Sequence, residues 1–121
     1  MKATRYVLVV LVFAMLAGCG GGATLYHQQL VSLNKGMTTT QATQSLQRPP
    51  SSVHTTTVDG VEYVFHRYYL NNGRFGDTYL LCFEAEKLKY WGYIEEFRRY
   101  PDERINRALE TILLQIKATN R

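Results

Sequence analysis

Gly36-Met37-Thr38-Thr39-Thr40-Gln41-Ala42-Thr43-Gln44-Ser45-Leu46-Gln47-Arg48-Pro49-Pro50 is the stretch on which the fold turns. Gly36 tolerates the left-handed conformation found at helix ends, and with Asn34 and Lys35 before it reads as a stop. Thr38 restarts the helix, and Gln41 three residues on completes a capping box. Ala42, Ser45 and Leu46 form the thin apolar side of that helix. Pro49-Pro50 ends it, because proline has no N–H for the ladder. Helical spacing lies upstream of this point and extended spacing downstream.

Upstream, Tyr26, Leu30, Leu33 and Met37 recur at helical intervals, with Thr24 as a cap, and predict a first helix. Downstream, Val53 to Val58 is β-branched and threonine-rich. Asp59-Gly60 is a hairpin turn. Val61 to Leu70 follows, with Tyr63, Phe65, Arg67 and Tyr69 on one side and Val64, His66, Tyr68 and Leu70 on the other. Asn71 to Arg74 turns the chain again. Asp77 to Glu84 and Leu88 to Glu95 predict two more strands, joined near Ala85-Glu86-Lys87. Aromatics on both sides imply that both are covered or that one binds a partner. Pro101 to Thr119 closes the chain as a helix, with Ile105, Leu109, Ile112, Leu113 and Ile116 in a stripe and Asp102 and Glu103 at its positive end. The expected fold is α+β: two N-terminal helices packed on a four-stranded antiparallel sheet, plus a C-terminal helix.

The N-terminus reads differently. Lys2 and Arg5 precede eleven apolar residues, Tyr6 to Leu16. A membrane-spanning helix needs about 20, so the pattern is that of a secretory signal. It ends Leu16-Ala17-Gly18-Cys19, which resembles the lipobox of bacterial lipoproteins at every position. That resemblance implies cleavage before Cys19, a diacylglyceryl group on its sulfur and an N-acyl group on its amine. One acyl chain holds a protein only marginally, at about 0.8 kcal/mol per buried methylene, whereas two or three hold it durably. Gly20-Gly21-Gly22 then reads as a flexible tether. Gly20 stands where inner-membrane lipoproteins usually carry aspartate, so the resemblance implies the periplasmic face of the outer membrane. The organisation expected is a signal peptide over 1–18, a lipidated cysteine and tether over 19–24, an α+β domain over 25–97 and a C-terminal helix over 98–121.

Cleavage leaves 103 residues, room for one small domain. With Lys2 and Arg5 removed, 12 basic residues face 10 acidic ones, too slight an excess to argue for nucleic acid. Cys82, inside Tyr79-Leu80-Leu81-Cys82-Phe83, reads as a buried, inert thiol.

Gly36, Met37, Thr38, Ala42, Leu46 and Pro49 fall on a pattern that resembles the signature of the SmpA/OmlA (BamE-like) family of small outer-membrane lipoproteins. The lipobox upstream and the Asp59-Gly60 hairpin with Tyr63 downstream match the wider context, over about residues 23 to 95. The resemblance implies the helix-and-sheet arrangement of β-lactamase inhibitor proteins and a role in supporting an envelope assembly such as the β-barrel assembly machine. Two departures stand out. Gln47 occupies a position where the family has glycine, and a left-handed conformation there costs a non-glycine residue about 1 kcal/mol. The helix after the sheet has no counterpart in the BamE branch.

No residue set argues for catalysis. His27, His54 and His66 lack metal-ligand spacing, and Ser51-Ser52 lies near His54 without a carboxylate to orient it. Glu84, Glu86, Glu95 and Glu96 alternate with Lys87, Lys89, Arg98 and Arg99 as a solvated rim. No enzymatic activity and no cofactor beyond the covalent lipid are expected. Binding is the better candidate, because tyrosine and tryptophan supply rigid contact area. The sheet side with Tyr68 and Tyr90, or the opposite one with Trp91 and Tyr93, is the candidate partner surface. The expected function is a lipid-anchored, non-catalytic protein-interaction module with a periplasmic or outer-membrane protein partner. The alternatives are an envelope stabiliser that binds lipid or peptidoglycan and an inhibitor-like binder of a periplasmic enzyme.

Overall fold

A computed structural model describes residues 24–71 and 76–119. The signal segment, Cys19, the glycine tether and most of the Asn71 to Arg74 turn lie outside the described residues. Five strands, β1 (Thr24–Leu25), β2 (Ser52–Val58), β3 (Val61–Asn71), β4 (Gly76–Glu84) and β5 (Lys87–Tyr93), form one mixed sheet. Among the described residues four helices accompany it: α1 (His27–Leu30), α2 (Thr39–Leu46), α3 (Ile94–Arg99) and α4 (Glu103–Thr119).

The expected layout of two helices on a four-stranded antiparallel sheet is therefore wrong in three respects. Thr24 does not cap a helix. It starts β1, which runs parallel to β3 with Thr24 opposite Tyr69 and Leu25 opposite Leu70. β3 extends past the end of β2, and its spare edge takes a short parallel partner, with Leu25 sealed inside. The first helix spans only four residues. Ser32 donates its hydroxyl to the Gln29 carbonyl and Asn34 donates to that of Ser32, local bonds that compete with helix continuation. So short a helix is marginal without tertiary support. Finally, Leu88 to Glu95 is not all strand. The Glu96 carboxylate accepts from the Tyr93 N–H at 3.0 Å, and the chain coils into α3 from Ile94. Gly92 permits that fold-back, since a Cβ there would lie 3.2 Å from the Glu96 side chain.

The signature stretch does two jobs. Thr38 and Gln41 form the reciprocal capping box, with Gln41 N–H to Thr38 Oγ1 at 3.2 Å and Thr38 N–H to Gln41 Oε1 at 3.0 Å. Gly36, at φ +92°, donates its N–H to the Leu88 carbonyl at 2.8 Å, while the Met37 carbonyl accepts from Leu88 at 2.7 Å. The turn between α1 and α2 is thereby pinned to the outer edge of β5.

Alternation along β3 and β4 divides the interior into two cores. Leu25, Leu33, Ala42, Leu46, Tyr68, Leu70, Tyr79, Leu81, Phe83 and Leu88 fill one. Tyr63, Phe65, Leu80 and Cys82 meet Phe97 of α3 and Ile105, Ala108, Leu109, Ile112 and Ile116 of α4 in the other. The sheet is thus covered on both sides, as its aromatic content requires. β2 is covered on one side only: His54 and Val58 are buried beneath α4, while Val53, Thr55 and Thr57 are exposed.

Candidate partner-binding surface

The four aromatic candidates part company in the folded chain. Tyr68 is fully buried, and its hydroxyl donates to the Arg48 carbonyl at 2.7 Å. Burial pushes its phenol up to about 12. It is a core residue that ties the end of α2 to the sheet, so its place in the candidate surface is corrected. Tyr90 stacks on Tyr100 at 4.1 Å and meets Phe97 edge-on at 4.8 Å, which makes it the floor under α3. Trp91 and Tyr93 lie on the other side, half-buried against the first core.

Tyr93 is the one that opens onto space. Its ring meets Tyr79 edge-on at 5.2 Å, with Tyr79 directly across the ladder. With Asp77, Thr78, Ile94, Glu95 and Glu96 it lines an open groove of about 600 Å³ where β4 begins and α3 starts. Partial burial, then the negative charges of Asp77 and Glu96, raise the Tyr93 phenol above its usual range. Glu96 is engaged with the Tyr93 backbone and Glu95 with Arg98 at 3.1 Å. A surface of carboxylates, one apolar side chain and one phenol suits a partner segment that carries lysine or arginine beside an apolar residue. The sequence hid this groove because Ile94 and Glu95 read there as the end of a strand.

The Ser52–His54 pair, legible in the sequence, meets a third partner that was not. Ser52 Oγ lies 2.9 Å from His54 Nε2, and Gln115 of α4 hydrogen-bonds the same imidazole. Gln115 also donates to the Thr55 carbonyl at 3.3 Å. Sixty positions separate Gln115 from Thr55, so no local pattern announces the meeting. Burial first, with the nearby Arg67 guanidinium, lowers the affinity of His54 for a proton and outweighs the Gln115 hydrogen bond, which raises it. An imidazolium formed by taking the serine proton would have a neutral amide behind it and a cation nearby, the reverse of what nucleophile activation needs. The trio fastens α4 to β2.

Elsewhere, Glu84 accepts from Tyr63 at 2.8 Å and from Lys89 at 3.1 Å, beside the bulge in the β4–β5 ladder. His66 is buried against Phe83 at 4.8 Å and His27 is exposed, so the three histidines do not converge. Among the described residues no group of three or more histidine, cysteine, aspartate or glutamate side chains is placed to hold a metal ion. Among them, too, no helix is long and apolar enough to cross a membrane. No family model, curated protein or solved structure matches the chain.

Proposed function

We propose that this chain is an outer-membrane lipoprotein of the SmpA/OmlA type that acts as a non-catalytic protein-interaction module in envelope assembly. The observation that carries the reading is the sequence Leu16-Ala17-Gly18-Cys19 at the end of a short apolar run, five residues before the first strand among the described residues, at Thr24. A chain of that length reaches about 17 Å at most, which keeps the body at the bilayer surface. The capped Gly36-Met37-Thr38 turn supports the family reading, because Gly36, Met37, Thr38, Ala42 and Leu46, which carry the resemblance, each have a structural task. The acidic groove beside Tyr93 supports a protein partner with a basic segment.

The test is recovery of partners from envelopes after mild cross-linking, with tagged full-length protein and its Cys19→Ala variant, alongside mass spectrometry of residue 19. Lipid on Cys19 and recovery of barrel-assembly subunits, lost with Cys19→Ala and weakened by Tyr93→Ala, are expected. An unmodified thiol overturns the anchoring. Recovery of murein or lipid alone points to an envelope stabiliser, and recovery of one periplasmic enzyme points to an inhibitor. Turnover in an activity screen overturns the non-catalytic reading.

A further inference from the structure

A cleft of about 230 Å³ lies where α2 meets the sheet, lined by Thr39, Thr40, Thr43, Gln44 and His66. Ala42 and Leu46 bury the apolar side of α2 in the first core, which leaves the flanking threonines and Gln44 at the cleft. Every lining side chain carries a hydrogen-bonding group, and none is an acid or a fixed cation.

His66 is the buried member of the set. It is 6% exposed, its ring lies against Phe83 at 4.8 Å, and its Nδ1 is sealed from solvent without a hydrogen-bond partner in the chain. A polar atom so placed loses its hydration and gains nothing in exchange, so buried groups of this kind are normally bonded. The neighbours cannot supply the bond. Val53, across the ladder, has an aliphatic side chain, and the Tyr68 hydroxyl is committed to the Arg48 carbonyl and to Thr43.

The backbone of α2 adds donors at the same place. The first turn of a helix leaves its N–H groups without an intrahelical partner. The capping box satisfies those of Thr38 and Gln41. Those of Thr39 and Thr40 have no acceptor among the described residues. This end of the helix carries partial positive charge, and residues 24–58 contain no aspartate or glutamate. An oxyanion accepts several such bonds at once and meets no carboxylate to repel it. A cation would find no carboxylate here, and an apolar ligand would strand the donors.

We propose that the cleft binds a phosphate group, held by the Thr39 and Thr40 N–H groups and hydroxyls, the Gln44 amide and an N–H of the His66 ring. Thr43 stays bonded to Tyr68 and shapes the wall. The site shares no residue with the groove beside Tyr93 and does not depend on the lipoprotein reading.

The experiment titrates the full-length protein in maltoside micelles with inorganic phosphate at constant ionic strength, following amide and imidazole resonances. Saturable shifts at Thr39, Thr40 and His66 are expected, absent with sodium chloride and absent at Tyr93. Thr40→Val keeps the shape of the side chain, and His66→Phe keeps a ring against Phe83. Each is expected to weaken phosphate binding several-fold; if His66→Phe fails to fold, Thr40→Val decides alone. Glycerol 3-phosphate is titrated in parallel. Tighter binding than inorganic phosphate places the group on an organic molecule, and equal or weaker binding assigns the free ion. Shifts that never saturate, or undiminished binding in Thr40→Val, overturn the proposal. Saturable binding of N-acetylglucosamine in place of phosphate also overturns it and assigns the cleft to sugar hydroxyls.

Discussion

Gln47 shows how much a single residue explains. It ends α2 at φ 57° and ψ 25°, left-handed, with its N–H bonded to the Gln44 carbonyl. Its side chain is exposed and carries no compensating role in the fold. Gln47→Gly is therefore expected to raise stability by about 1 kcal/mol, read as a shifted urea midpoint at unchanged slope. Cys82 is fully buried, and burial lifts its thiol far above the usual range. A thiol reagent is expected to leave it untouched in the native protein and to titrate it fully in denaturant; fast reaction without unfolding would contradict the core described above. His66 carries a pH dependence. Burial lowers its imidazole from 6.5 to about 4, and His54 is lowered too, first by burial. Both bind protons less readily folded than unfolded, so acid favours the unfolded chain. Their contribution is whole above pH 6.5 and is lost as pH falls from there toward 4, for His66 by up to about 3 kcal/mol. Denaturation midpoints compared at pH 7 and pH 4.5 are expected to differ less in His66→Leu than in the parent chain.

Elements were legible where the chain is punctuated locally. The capping box at Thr38 and Gln41, the Asp59-Gly60 turn and the apolar stripe of α4 follow from spacing, and the structure has each in place. What failed needed distant partners. β1 exists because β3 outruns β2, and α3 exists because Gly92 leaves room for Glu96, neither of which a periodicity contains. The Tyr68 assignment failed for a related reason: alternation gives the side of a strand but not what covers it. The turn between β4 and β5 is unusual, with Ala85 at φ 48° and Glu86 at φ 72°, residues poorly suited to left-handed backbone. Replacing the pair by Asn-Gly is expected to stabilise the chain by about 1 kcal/mol in chemical denaturation. Leu109 of α4 is fully buried against the sheet, and Leu109→Ala is expected to cost about 2–5 kcal/mol.

At the scale of the whole molecule, the two cores make the C-terminal helix a full member of the body. Without α3 and α4, Tyr63, Phe65, Leu80 and Cys82 would face water on the two central strands. A chain ending at residue 93 is expected to lack a cooperative thermal transition and to bind hydrophobic dye; a sharp transition would show instead that the first core suffices. The surface follows from the same layering, since acidic side chains occur only from the first hairpin turn onward, and the groove beside Tyr93 forms where β4 and α3 meet. The short parallel strand at the margin has a mechanical consequence. A pull applied at Thr24 meets first the two residues of β1, which precede the loop that carries α1. Tension is thus expected to peel β1 from β3 well before it loads the long antiparallel ladder, so that the lead segment gives way as a fuse while the sandwich behind it keeps its shape.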